Sequence, residues 1–398
     1  MATTPGKPAG ALSGAAFLMA VSAIGPGFLT QTTQFTAEIG ASLAFAILAS
    51  IVIDIGAQLN TWRVVCISGR PAQEVAEAVL PGMNVLLTIV IVAGSFAFNI
   101  GNLNGCALGL EALLGLHQVG GILVSALLAA GLFLLPSMLQ GVDWFSKVLG
   151  VGMIAVTIYV VIVTRPPLGE AAQAAVMPTQ VDFSMVVTLV GGTVGGYIMF
   201  SGAHRLLATG ITGPEQAGLI SWASVQGIVI TGIMRVALFL AVFGVVRTGA
   251  TLGDKTPVFD AFQAGAGDLG YYLSGLVFWA AAITSVVGCA YTSITFLPRS
   301  IDARHHPRLI AGFILASTVA TLVWRGLGWQ ATPLLIAAGT VNGVLLPVIL
   351  GVVLLAAYRP NLMGDYRHPW WVAALGLVAW LGTVFLAYRM AVGFFASL

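Results

Sequence analysis

Apolar run after apolar run in this sequence reaches the ~20 residues that carry a helix across a bilayer, with only short polar or Gly/Pro breaks between them. Charged residues make up 8% of the 398, against roughly 25% in an ordinary soluble domain, and 58% are hydrophobic. That balance excludes a soluble enzyme, a nucleic-acid binder and a disordered scaffold; the chain reads as a polytopic, all-α integral membrane protein whose first partner is the lipid bilayer. The net charge of +2 and the lack of a polybasic run suggest neither an acidic partner nor nucleic acid. Cys66, Cys106 and Cys289 stand far apart in apolar contexts, with no metal-ligand spacing and no disulfide framework. Lys7 ahead of the apolar run from Ala11 has the look of a signal peptide. The run continues through Gly25-Pro26-Gly27 without a convincing cleavage site, so it is read as the first span.

Apolar runs set against Gly/Pro and charged breaks predict eleven transmembrane helices, over about 12–37, 40–61, 83–106, 119–139, 143–163, 183–208, 217–246, 270–297, 308–326, 332–357 and 370–394. The segment Arg70–Leu80 is expected to be a short interfacial helix. With the N-terminus cytoplasmic, Lys7, Arg63, Arg70, Lys147, Arg205, Arg299, Arg304, Arg308, Arg359 and Arg367 lie inside. Arg165, Arg247, Lys255, Arg325 and Arg389 lie outside, and Arg235 is buried in span seven. Ten against five orients the chain with its amino end inside and its carboxyl end outside. Trp370 and Trp371 read as an interfacial belt.

Two spans are interrupted. Span one carries Gly25-Pro26-Gly27 followed by Thr30, Gln31, Thr32, Thr33 and Gln34, then Thr36 and Glu38. Span six carries Gly191-Gly192-Thr193-Val194-Gly195-Gly196, then Ser201, Gly202, His204 and Arg205. Pro26 removes a backbone donor, and each glycine costs a helix about 1 kcal/mol. Irregular backbone survives at membrane depth only where protein or a water-filled cavity covers it. One and six are the first helices of two five-helix units, and an odd number of spans per unit inverts the second. Interrupted helices at matching places in inverted halves point to a transporter's midplane site. The repeats then cover about 12–163 and 183–357 within one transmembrane domain, with an extra helix at about 370–394.

These features resemble the Nramp family of proton-coupled divalent-metal transporters. Gly25-Pro26-Gly27-Phe28-Leu29 is similar to the family's opening motif, Gly40-Ala41 and Gln58-Leu59 fit its second helix, and Gly195 to Met199 is similar to the start of its sixth-helix motif. The resemblance runs over nearly the whole chain and implies a LeuT-type 5+5 inverted repeat with helices 1 and 6 broken, in a bacterial inner membrane, with no cofactor and no need for more than a monomer. The metal chemistry departs from the family. Its Asp-Pro-Gly-Asn turn is met by Thr36-Ala37-Glu38-Ile39 or by Gly25-Pro26-Gly27-Phe28, and its Met-Pro-His by Met199-Phe200-Ser201. Its proton-path Asp and Glu fall on Asn99 and Asn102.

A divalent ion needs carboxylate, carbonyl or imidazole ligands to replace its water, and Met199 alone supplies none. The candidate site instead offers neutral donors and acceptors: Gln31, Thr32, Thr33, Gln34 and Thr36 from helix one, Asn99 and Asn102 from helix three, and Tyr197, Met199 and Ser201 from helix six. His204 and Arg205 follow, and an arginine there suits a carboxylate held in bidentate fashion; a positive-inside anchor is the plainer reading of Arg205. The expected activity is secondary transport of a small polar solute, plausibly an organic carboxylate. Similarity to Nramp-related bacterial branches associated with 5-oxoproline metabolism makes that compound a specific candidate, with Mn, Fe or Mg transport through altered ligands as the alternative.

Intramembrane charges are functional candidates by default. Asp54 is expected near the cytoplasmic end of span two and Arg235 in the outer half of span seven, so Glu38 looks the better depth match for Arg235. Asp54, Glu38, Glu111 and His204 are the candidates for proton coupling, and Glu38, Asp54 and Arg235 for coupling or gating. His305 and His306 have no acidic or cysteine partner at ligand spacing and read as a solvated basic loop. A channel would need a continuous polar stripe or selectivity ring, and an enzyme would need a nucleophile–base pair or a metal cluster. Neither pattern is present in the sequence.

Overall fold

A computed structural model describes residues 8–135, 137–253, 256–298, 305–328 and 331–396. Lys7, Lys255, Arg299 and Arg304, which entered the charge count, lie outside the described residues. The chain folds as α1 (Pro8–Ala23), α2 (Pro26–Ile39), α3 (Leu43–Ser68), α4 (Ala72–Val79), α5 (Met83–Leu114), α6 (Gln118–Leu134), α7 (Met138–Thr164) and α8 (Leu168–Val176). It continues as α9 (Phe183–Val194), α10 (Ile198–Ala208), α11 (Ala217–Val246), α12 (Pro257–Thr295), α13 (His306–Gly326), α14 (Ala331–Ala356), α15 (Pro360–Met363) and α16 (Trp370–Ala396).

Nine helical stretches among the described residues are long and apolar enough to cross a membrane. One of them, Pro26–Ser68, holds both α2 and α3, while Ala9–Ala23 and Gln118–Leu134 are shorter apolar helices. With α1 joined to α2 and α9 to α10 as single interrupted passes, the described residues supply helices for the eleven expected crossings. The interfacial helix over Arg70–Leu80 is α4, started by Pro71 in extended backbone with Glu74 in its first turn. A second short helix, α8, which packs against α3, was not expected. The surface is inverted relative to a soluble protein. Leu127, Ile162, Val319 and Leu355 are more than half exposed, while polar side chains such as Gln31, Asn60, Asn99 and Thr284 are fully buried. That is the arrangement a lipid solvent selects.

Two span boundaries differ from expectation, each for a local reason. Span two runs to Ser68 rather than about 61, because Asn60, Thr61 and Arg63 are buried and hydrogen-bonded in the bundle rather than facing water. Span eight starts at Pro257, not 270: the Gly-rich stretch breaks regular geometry only at Ala266 and Gly267 (φ 63°) before the helix resumes. The two interrupted passes lie side by side, α1 against α10 and α2 against α9, with α5 and α12 packed along each other beside them.

Candidate functional site

The first break falls at Ile24-Gly25 and the second at Gly195-Gly196-Tyr197. Gly191 and Gly192, expected within the second break, stay helical in α9. Gly191 instead permits close packing: a Cβ there would lie 1.9 Å from the Gly339 carbonyl of α14. Gly196 needs its lack of side chain for a different reason, since its φ is +58°.

A helix end leaves four carbonyls without helical partners, and each of those at the end of α1 is accounted for. Ala20 O accepts from Ile24 N–H and Ala23 O from Gly25 N–H. The Tyr197 hydroxyl donates to Ser22 O at 3.1 Å, and the Ser285 hydroxyl of α12 donates to Val21 O at 3.0 Å. The break in the first pass is thus held open by groups from the second break and from α12.

A small cavity lies where these elements meet. Ser22, Gly25, Phe28 and Gln31 line it from the first pass, Gly192 and Tyr197 from the second, Phe98 and Asn102 from α5, and Ser285 from α12. Its volume is about 10 Å³, room for one water. No charged side chain lines it. The Asn102 amide nitrogen is a buried donor without a partner, and the Gln31 side-chain oxygen is a buried acceptor without one, among the described residues. Gln31 Nε2 donates to Leu335 O at 3.4 Å. Both α2 and α10 start at the cavity, so their first-turn amides and positive dipole ends point into it.

Of the expected binding residues, the structure brings Gln31, Asn102 and Tyr197 to this cavity and leaves the others outside. Thr32 and Thr33 are buried on α2 with unpartnered hydroxyls but do not line the cavity. Gln34 is half-buried. The Thr36 and Ser201 hydroxyls bond back to Thr32 O and Ile198 O within their own helices. Asn99 donates to the Ser317 hydroxyl of α13 at 2.7 Å. The Met199 sulfur accepts from the Thr61 hydroxyl of α3, and Met199 does not line the cavity. His204 takes the Ala72 amide on Nε2 at 3.1 Å and meets the Thr295 hydroxyl on Nδ1 at 2.7 Å, stapling α4 to α10 and α12.

Arg205 is the largest correction. Its Nε and Nη2 hold Asp143 of α7 in a bidentate pair at 3.0 and 2.6 Å, with side chains 4% and 13% exposed. The fork expected to receive a solute carboxylate already holds the protein's own. Asp54 and Arg235 are also corrected. Because α3 continues to Ser68, Asp54 sits at mid-depth, both residues are 1% exposed, and each acts electrostatically on the other. Glu38, expected to match Arg235, is exposed at the end of α2 beside Asp182.

Sequence reasoning missed Ser22, Phe98, Ser285 and Asp143. Ser285 lies in a mostly apolar run of span eight, and nothing in the sequence separates its small hydroxyl from that of the adjacent Thr284. Among the described residues, no group of three or more His, Cys, Asp or Glu side chains is placed to hold a metal ion.

Residues 16–393 match the family model described as natural resistance-associated macrophage protein-like, Nramp. The chain is 47% identical to the uncharacterized membrane protein YcsG of Bacillus subtilis (strain 168), over 94% of this chain and 93% of that one. It is 23% identical to the divalent metal cation transporter MntH of Verminephrobacter eiseniae (strain EF01-2), over 92% and 85%. The crystal structure of a manganese transporter of Eremococcus coleocola superposes with a TM-score of 0.80 at 15% identity, covering 95% of this chain and 85% of that one.

Proposed function

The chain belongs to the Nramp family of membrane transporters and has its LeuT-type fold, and from that premise we propose that it is a secondary active transporter of a small polar solute. The observation that carries this reading is the lining of the cavity between the two breaks, which is neutral and hydrogen-bonding, with no carboxylate and two half-helix N-termini. Such a site suits a solute with an anionic end, held by backbone amides and helix dipoles rather than by Arg205. The unpartnered Asn102 donor and Gln31 acceptor complement the C=O and N–H of an amide or lactam. A small cyclic amide carboxylate such as 5-oxoproline matches both halves of that description. It is larger than the present cavity, so loading requires the half-helices to move.

The accompanying features follow the same reading. Repeats of about 12–163 and 183–357 rock around the site, the face carrying the N-terminus is cytoplasmic, the membrane is a bacterial inner membrane, and the working unit is a monomer. Divalent-metal transport is the second reading, favoured by what the Verminephrobacter and Eremococcus proteins are described as carrying. The neutral lining and the engaged Met199 sulfur count against it.

Thermal stability of the purified protein against Mn²⁺, Mg²⁺ and small carboxylates including 5-oxoproline decides between them. A ligand at 100 times its Kd stabilises by about 2.7 kcal/mol. A rise in Tm with a carboxylate, lost in Asn102→Ala, supports the organic-solute reading. A rise with Mn²⁺ alone overturns it.

A further inference from the structure

Behind the cavity lies a second buried charge pair that differs from the Arg205–Asp143 pair in a telling way. Asp54 on α3 and Arg235 on α11 each stand eleven residues, about 16 Å, from their helix ends on the face opposite the N-terminus. Arg235 reaches Ser50 Oγ at 3.5 Å and Leu189 O at 3.4 Å, and its guanidinium lies over the Phe28 ring at 4.3 Å. Its Nε and Nη2 have no hydrogen-bond partner among the described residues. The Thr193 hydroxyl is beside the Asp54 carboxylate but donates to Leu189 O, leaving both carboxylate oxygens without a donor. The two charges act on each other without touching.

A buried pair that has settled into its most favourable geometry closes into direct contact, as Arg205 and Asp143 do at 2.6 Å. Leaving four polar atoms of a buried acid and base unsatisfied at membrane depth is expensive, and it fits a site that has a second state. The surroundings tie that state to transport. Phe28 and Gly192 both line the cavity; Phe28 stacks on Arg235, and Gly192 shares the last two turns of α9 with Leu189 and Thr193. The pair therefore grips both half-helices, α2 and α9, one layer behind the solute site.

The other acids and the histidine weighed for coupling are elsewhere. Glu38 is exposed, Glu111 is exposed and bonded to Gln118, and His204 is bonded on both ring nitrogens. On the elements that pack around α3, Arg205 of α10 holds Asp143, Arg389 of α16 lies over Phe183, and Glu170 of α8 pairs with Arg247. Arg235 is the charged group that acts on Asp54.

We propose that Asp54 is the proton-binding site that couples transport to a proton gradient, with Arg235 as its positioning counter-charge. A proton taken from water on one face adds to the Asp54 carboxylate and leaves Arg235 without a counter-charge. The guanidinium then shifts its hold on Phe28 and Leu189, α2 and α9 move, and the proton departs to the other face. A sodium ion is disfavoured here by the adjacent guanidinium. The proposal rests on the secondary-transport reading, but its test uses no transported solute, so the two fail independently.

Thr30 of α2 lines a crevice bounded by Pro257–Phe259 of α12 and is 3% exposed, so labelling of a Thr30→Cys variant by an impermeant maleimide reports opening on that side. The native Cys66, Cys106 and Cys289 are buried and make the parent chain the blank. Comparing Thr30→Cys with and without Asp54→Asn at each pH cancels the thiol's own chemistry. The labelling rates are expected to differ by about fivefold or more in alkaline buffer and to converge in acid, with Arg235→Gln displacing the midpoint by about one pH unit or more. A ratio that does not change with pH overturns the proposal. If Asp54→Asn does not fold, the acid-minus-alkaline infrared difference spectrum of the parent protein decides: a carboxylic-acid band that moves in Asp54→Glu is expected, and the absence of any such band overturns the assignment.

Discussion

The Met199 sulfur accepts the Thr61 hydroxyl at 3.0 Å across the contact of α10 with α3, and Thr61 also bonds Ala57 O at 2.9 Å. Met199→Leu therefore conserves volume, leaves the Thr61 hydroxyl with a partner, and costs less than about 1.5 kcal/mol. Uptake of the solute identified by thermal shift is expected to survive this change. Asn102→Ala, which removes the cavity's unpartnered donor, is expected to weaken apparent affinity by roughly tenfold, the value of one hydrogen bond of about 1.5 kcal/mol. If Met199 were instead a metal ligand, Met199→Leu would abolish Mn²⁺ uptake. At this scale the sequence shows residue types but not the directions in which they point. Adjacent positions on a helix are rotated by about 100°, so Gln31 reaches the cavity while Thr32 and Thr33 do not. Arg205 finds Asp143, 62 positions away in the chain, because α1 packs against both α7 and α10, an arrangement that no local pattern encodes.

The start of α16 is clamped to α3. Asn60 donates to Val372 O and to Gly56 O, His368 Nε2 donates to Asn60 Oδ1 at 2.9 Å, and Arg63 reaches the Tyr366 hydroxyl at 2.9 Å. Burial, and then the nearby Arg63 charge, push the His368 imidazole down to about 4 from its ordinary 6.5. The helix N-terminus that follows also disfavours a cation there. A folded-state value below the unfolded one means the unfolded chain takes up protons first, so the clamp's contribution is full above about pH 6.5 and is lost as pH falls toward 4. The Tm of the wild type is expected to drop across that window, and His368→Gln, whose amide can keep the Asn60 bond, to flatten that part of the profile. Identical profiles would show that α16 is held by its apolar face alone. Elements were the most legible level: both breaks, the interfacial helix and the eleven passes follow from apolar run length and Gly/Pro placement. The end of α3 did not, because buried polar residues such as Asn60 and Arg63 look like a boundary until their partners on α11 and α16 are known. That one misplaced end moved Asp54 to the wrong depth and hid its relation to Arg235.

Across the whole molecule, α1 packs against both α7 and α10 on the side of the N-terminus, and the Arg205–Asp143 pair joins the last two. Gly14 of α1 lies directly on it, since a Cβ there would stand 2.5 Å from the Asp143 carboxylate. A LeuT-type transporter alternates access by moving one helical group against another around a fixed site, and a pair that ties α10 to α7 beneath α1 can act as the closure on this side. Asp143→Asn would leave Arg205 buried without its counter-charge, at a penalty of about 3 kcal/mol. The cheapest relief is for Arg205 to swing toward water at the N-terminal face, carrying α10 off α7 and uncovering the cavity from that side. The expected result is a lower Tm, together with faster amide hydrogen exchange in α1 and α10 and unchanged exchange in α2 and α9. The double variant Asp143→Leu with Arg205→Met removes both charges and should recover most of the Tm, because a buried pair exchanged for apolar side chains of similar size is often neutral. Faster exchange spread evenly over all four half-helices would make the pair a brace for the fold. Confinement to the N-terminal half would make it the inner gate, and would leave the Asp54–Arg235 pair to govern the half-helices on the opposite side.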